Sequence, residues 1–250
     1  MVWSSKRRGR ARPKLPRPGV CRRRRHTLHT EHLMFYTPLT MLDRAASWAV
    51  CSDPEAQRWL GWGPDQVIAD DHVREALTEL RPGDADTCFP SLLPRRLLSE
   101  PFEPPADRTQ RLIGVRLDDG RYAATLQLTT DTGEIGGALA PHARGLGLGA
   151  ELFRAAALFA HTHMGLRSVQ AGHEAANAAS ARALVSAGFV ADDGPPRFTL
   201  PDGREIDARW LRHTAVEGAS SCHGGIIEAL TQVPLRTGTE SGSARSIRSR

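Results

Sequence analysis

HARGLGLGAEL, residues 142–152, places glycine at 145, 147 and 149. It then passes into a run whose apolar members Leu148, Leu152, Phe153, Ala156 and Phe159 recur at the spacing of one helix face. A helix start leaves several backbone N–H groups unpaired and carries a partial positive charge. Bare backbone at Gly145, Gly147 and Gly149 would let a large anion reach those groups, and Arg144 at the edge could add a charge-assisted contact. The stretch reads as an anion cradle, with tight turning alone as the alternative that the spacing leaves open. It is not a Walker A loop, since no Gly-Lys-Ser/Thr follows. It also departs from the GxGxxG spacing of a dinucleotide fold.

Working outward, the residues before the cradle alternate. Strands are predicted over 111–117, 122–129 and 134–139, joined by turns at Asp118-Asp119-Gly120 and Asp131-Thr132-Gly133, which makes an antiparallel meander. After the cradle come a helix over 147–163, a strand over 166–172 and a helix over 178–187 closed by Gly188. A strand follows from Phe189, and a last one lies near 208–212. Upstream, Met34-Phe35-Tyr36-Thr37 reads as a short strand and 41–50 as a helix. Asp53 caps a further helix with Pro54 at its first position, and 65–80 forms another that Pro82-Gly83 stops. Residues 90–107, with five prolines and no period, read as loop. This order predicts an α/β (α+β) single domain, a mixed central sheet with an antiparallel N-terminal meander, flanked by helices.

Charge divides the chain. Residues 1–30 hold 11 of the 33 Lys and Arg and no acid, whereas 31–215 hold 18 bases against 25 acids. The overall +5 thus hides an acidic folded part. Residues 1–33, without apolar periodicity, read as a disordered basic arm, 34–215 as the domain, and 216–250, rich in Ser, Gly, Thr and Arg, as a flexible tail. Nucleic acid enters only as a partner of the arm, whose plainer reading is that it does nothing specific. No apolar run approaches the roughly 20 residues that cross a bilayer, so no membrane partner and a cytoplasmic location are expected. Cys21, Cys51, Cys88 and Cys222 are scattered without a CxxC pair, and His161 and His163 diverge on a helix, so neither a disulfide framework nor a metal site is expected.

With these elements placed, Arg144-Gly145-Leu146-Gly147-Leu148-Gly149 resembles the (Gln/Arg)-x-x-Gly-x-(Gly/Ala) motif of the GNAT superfamily of N-acetyltransferases. GEIGGALAP, residues 133–141, looks like the strand before that loop. NAASARALVSAGF, residues 177–189, looks like the family's later helix with its Gly-Phe ending. Together with DPEAQRWLGW, residues 53–62, these segments are most similar to the branch that includes the ribosomal-protein N-terminal acetyltransferases. The resemblance runs from about Thr37 to His213.

The resemblance implies acetyl-CoA as co-substrate. Its pyrophosphate would lie on Arg144, Gly145, Leu146, Gly147, Leu148, Gly149 and Ala150, and its pantetheine arm along the backbone near Leu139. Strands 134–140 and 166–172 would splay to admit that arm. Asn177 is expected to touch the cofactor as well as to cap its helix. An amine arrives protonated and must lose a proton before it attacks a thioester, so a base is required. The family pattern places Glu134 there, acting directly or through water. Many members offer a tyrosine to the leaving thiolate at a position that is Leu184 here, and Tyr36 and Tyr122 lie elsewhere. Ser180 is the substitute candidate. Plain alternatives stay open: Asn177 as a cap only, Glu134 as a strand-end carboxylate after a turn.

Three functional classes follow. The first is an N-acetyltransferase acting on a primary amine, either a protein N-terminus or a small molecule. The second is a non-catalytic acyl-CoA-binding regulatory module, and the third a nucleic-acid binder working through the arm. Trp48, Trp59 and Trp62 cluster where the resembling fold builds its acceptor wall, but such aromatics are read as core rather than as substrate ligands. A homodimer is implied by the resemblance alone.

Overall fold

Alternating apolar residues around two Asp/Gly turns give the chain its central meander: β3 (Thr109–Arg116), β4 (Tyr122–Thr129) and β5 (Glu134–Leu139) pair antiparallel in sequence order. The computed structural model describes residues 27–84, 90–101 and 108–215. Ahead of the meander lie β1 (Thr27–His29) and β2 (Leu33–Tyr36), and after it β6 (Ser168–Glu174), β7 (Val190–Asp192), β8 (Arg197–Thr199) and β9 (Glu205–Thr214). The sheet order is β1-β2-β3-β4-β5-β6-β9-β7, with β8 on β9. Every pairing is antiparallel except that of β5 with β6.

Helices cover both faces. On one, α5 (Leu148–Thr162) sets Leu152, Phe153, Ala156 and Phe159 against Leu112, Leu126, Leu128 and Ile135, all buried. A Leu152→Ala change there would cost about 2–5 kcal/mol, transfer and cavity combined. On the other, α1 (Met41–Ser52) packs Leu42, Ala45, Ala46 and Ala49 with Ile113 and Tyr122. Around it lie α2 (Pro54–Leu60), α3 (Asp71–Glu79) and α4 (Arg95–Ser99), while α6 (Ala178–Ser186) packs beside α5.

The structure corrects several boundaries. The sheet begins at Thr27, inside the stretch assigned by charge to the arm, because Leu28 alternates into the core. The helix expected over 65–80 is instead a 3-10 turn, Pro64–Gln66, and a separate α3. Asp70 restarts the chain there by accepting from the Val73 N–H at 3.1 Å. Within 90–107, read as loop, Arg95–Ser99 is helical and buries Leu97. Residues 1–26 and 216–250 lie outside the described residues, as do Cys21, Cys88 and Cys222. Among the described residues no cluster of metal-ligating side chains occurs, and no helix is long and apolar enough to cross a membrane.

Candidate active site

The break in the sheet makes the site. β5 and β6 are in register only at Glu134↔Gln170, where the Gln170 N–H donates to the Gly133 carbonyl at 2.9 Å. Beyond that rung they part. Backbone groups alternate sides along a strand, so with Gly133 facing β6 the N–H and C=O of Gly137 and Leu139 also point into the gap. Side chains alternate as well: Gly137 lies under Leu152 on the α5 face, whereas Glu134 and Ala138 look toward α1 and β9.

At the open end of this slot stands the glycine turn. Gly145 and Gly147 hold φ of 75° and 79°, a region that L side chains rarely adopt, and a Cβ on either would meet nothing within 4 Å. The turn is therefore glycine for its backbone conformation and open toward solvent. Gly149 differs, since its Cβ would press on the Ala183 Cβ at 3.1 Å, which keeps α5 and α6 close. No side chain caps α5, and among the described residues no acceptor takes the N–H groups of residues 145–150. A row of donors at a helix N-terminus, facing open space, fits a doubly charged phosphate linkage.

The Arg144 guanidinium donates to both carboxylate oxygens of Asp53, Nη1–Oδ1 at 2.8 Å and Nη2–Oδ2 at 2.5 Å, while Nε donates to the Leu139 carbonyl at 3.0 Å. The guanidinium is thus engaged by the α1–α2 corner and the end of β5.

Across the slot, Asn177 caps α6. Its Oδ1 accepts from the Ser180 N–H at 3.0 Å, its own N–H donates to the Glu174 carbonyl, and both side chains are 2% exposed. Leu184, at the tyrosine position, is wholly buried in the α5 core. The two tyrosines are committed elsewhere: Tyr36 and Tyr122 both donate to Asp43 Oδ1, at 2.7 and 2.8 Å. Burial and that hydrogen bond push both phenols up, so neither is a ready acid.

At the closed end Glu134 is 1% exposed, and its Oε1 accepts from Gln170 Nε2 at 3.3 Å. Strand register puts Thr129 beside it. Higher on the same face α1 crosses, with the Ser47 and Thr125 hydroxyls 2.7 Å apart. Trp48 and Trp62 form a tilted pair at 5.8 Å, Trp62 resting on the cluster that contains Ala138 and Trp210. At about 3.3 Å per residue, Leu139 lies about 16 Å along the strand from Glu134.

A model of the acetyltransferase (GNAT) domain matches residues 34–190. The chain belongs to the GNAT acetyltransferase family. Solved structures with the same fold include a GNAT-family acetyltransferase from Bacillus anthracis, 15% identical over 76% of this chain and 98% of that one, TM-score 0.51. The ribosomal-protein-S5-alanine acetyltransferase of Vibrio fischeri is similar at 15% identity over 76% and 96%, TM-score 0.52. A GCN5-related N-acetyltransferase from Brucella melitensis is similar at 17% identity over 80% of each chain, TM-score 0.54. No curated protein matches the sequence.

Residues 144–150 follow the end of β5 and open α5, Asn177 and Ser180 open α6 beyond the end of β6, and Glu134 stands on the last paired rung between β5 and β6. Sequence reasoning missed Gln170, which holds Glu134, and Asp53 as the partner of Arg144. Gln170 carries no mark in the sequence beyond a polar residue in an apolar strand. Asp53 was legible as a helix cap and is one, through Oδ1 to the N–H groups of Glu55 and Ala56.

Proposed function

We propose that this GNAT enzyme transfers an acetyl group from acetyl-CoA to a primary amine by direct attack, and that the open N–H row of residues 145–150 is the observation that carries the reading. Those groups would hold the pyrophosphate, and the slot-facing backbone of Gly137 and Leu139 the pantetheine amides, with Asn177 on the opposite lip. Acetyl-CoA would supply the activated acetyl thioester. Glu134 accepts the proton of the amine, through water given its burial, with Gln170 fixing the carboxylate. Ser180, on the α6 wall, is the donor proposed for the departing sulfur. The acidic balance of residues 31–215 favours a cationic acceptor. One fold neighbour is described as acting on a ribosomal-protein alanine, which supports a protein α-amine as acceptor, with a small amine as the other candidate. A cytoplasmic location accompanies this reading.

The test is CoA release from acetyl-CoA by the full chain, supplied in turn with an alanine-starting peptide and with spermidine. Thiol release with either amine supports transfer. Tight acetyl-CoA binding without release for any amine would favour the binding-only module, to which the core position of Leu184 lends some weight.

A further inference from the structure

Arg144 borders the glycine turn, yet its hydrogen bonds run to the end of β5 and to the α1–α2 corner. Nε reaches the Leu139 carbonyl at the end of β5. The two Nη atoms grip Asp53, and Nη1 also lies 3.3 Å from Glu55 Oε2. The arginine side chain is 23% exposed and that of Asp53 only 8%. Asp53 stands between α1 and α2 and caps α2 with the same Oδ1 that Arg144 contacts. The corner it anchors carries Cys51, which is buried, and is flanked by the Trp48–Trp62 pair.

We propose, resting on the acetyl-transfer reading above, that Arg144 is a positioning residue for the acceptor side and not a ligand of the cofactor phosphates. Its planar fork locks the α1–α2 corner, and with it the tryptophan pair, to the end of the strand that lines the slot. The phosphates are left to the backbone N–H groups of the turn. A planar fork can hold a carboxylate through two atoms while its third nitrogen reaches a carbonyl, and a lysine cannot.

Arg144→Met and Arg144→Lys in the full chain separate the two roles, with circular dichroism confirming the fold of each. Acetyl-CoA affinity, by calorimetry, stays within about twofold of wild type in both, because no charge-assisted phosphate contact is lost. The KM for whichever amine the thiol-release assay turns over rises about tenfold in both variants while the KM for acetyl-CoA does not move, since the acceptor wall is displaced. Independently of activity, alkylation of Cys51 by iodoacetamide, followed by peptide mass spectrometry, accelerates about tenfold as the corner loosens. Asp53→Asn repeats the Cys51 result. An acetyl-CoA affinity that falls tenfold in Arg144→Met and returns in Arg144→Lys overturns the proposal, as does Cys51 protection unchanged in all three. If the wild type binds no acetyl-CoA, the transfer reading fails, while the Cys51 rates still report on the Arg144–Asp53 clamp.

Discussion

Glu134 and Gln170 meet on the last paired rung before β5 and β6 separate, with Gln170 Nε2 donating to Glu134 Oε1 at 3.3 Å. A carboxylate placed there sits at the bottom of the slot, turned toward α1 and β9 and away from α5. The amide opposite restricts its rotation. On the proposed reading, this carboxylate is the base for the amine.

Glu134→Gln keeps the size of the side chain and removes its basicity. The expected outcome is a kcat lower by about 10²-fold or more, with acetyl-CoA affinity within twofold of wild type. Steady-state thiol release and calorimetry on the same preparation check both halves. An unchanged kcat would remove Glu134 from the chemistry.

Gly147→Ala tests the turn's conformation. A left-handed residue bearing a Cβ costs about 1–2 kcal/mol, and since the added methyl would meet no protein atom within 4 Å, no steric cost should be added. Chemical denaturation should therefore show a loss of that size. A substantially larger loss would mean that the turn is packed by something other than solvent.

Much of the fold was legible because its determinants are local. Asp118-Asp119-Gly120 and Asp131-Thr132-Gly133 fixed the meander, Asp53-Pro54 a helix start, and Gly145 and Gly147 the left-handed turn before α5. What escaped was what depends on distant partners. β1 was hidden because Thr27–His29 borders a basic run and is a strand only through pairing with β2. The Arg144–Asp53 pair was invisible because Asp53 is 91 residues away. Gln170 beside Glu134 follows from parallel register, which no short-range pattern encodes.

The His161–His213 contact predicts a pH limb in stability. His161 Nδ1 lies 2.6 Å from the Leu166 carbonyl and so donates, which leaves Nε2 to accept from His213 Nδ1 at 2.9 Å. Burial, with His161 beside it, holds His213 below the ordinary histidine value. The folded protein prefers the neutral ring, so this contribution is full above about pH 6.5 and is lost as pH falls through the lower folded value. The melting temperature should drop between pH 7 and pH 5, and His213→Phe should flatten that slope. His142, His163 and His173, also held down by burial, keep it from vanishing. Equal slopes in variant and wild type would contradict this.

Asp43 supports the opposite end of α1. Burial raises its pKa, but hydrogen bonds from Tyr36, Tyr122 and the N–H groups of Leu39 and Thr40 outweigh that and hold the carboxyl below its usual range. Its stabilisation is full above about pH 4 and fades as pH falls toward the lower folded value. Asp43→Asn should cost about 1–3 kcal/mol at pH 7, with the gap to wild type narrowing near pH 3. A gap that widens in acid would mean that the folded state raises the Asp43 pKa instead of lowering it.

On the proposed function, the bare backbone of residues 145–150 holds the pyrophosphate of acetyl-CoA. Calorimetric titration of the full chain with acetyl-CoA, beside Gly147→Glu, tests it most directly. Micromolar binding in the wild type that the introduced carboxylate abolishes is the predicted result. A folded wild-type chain that binds no acetyl-CoA, or a Gly147→Glu variant that binds it as tightly, would contradict the claim and leave the three glycines as turn chemistry.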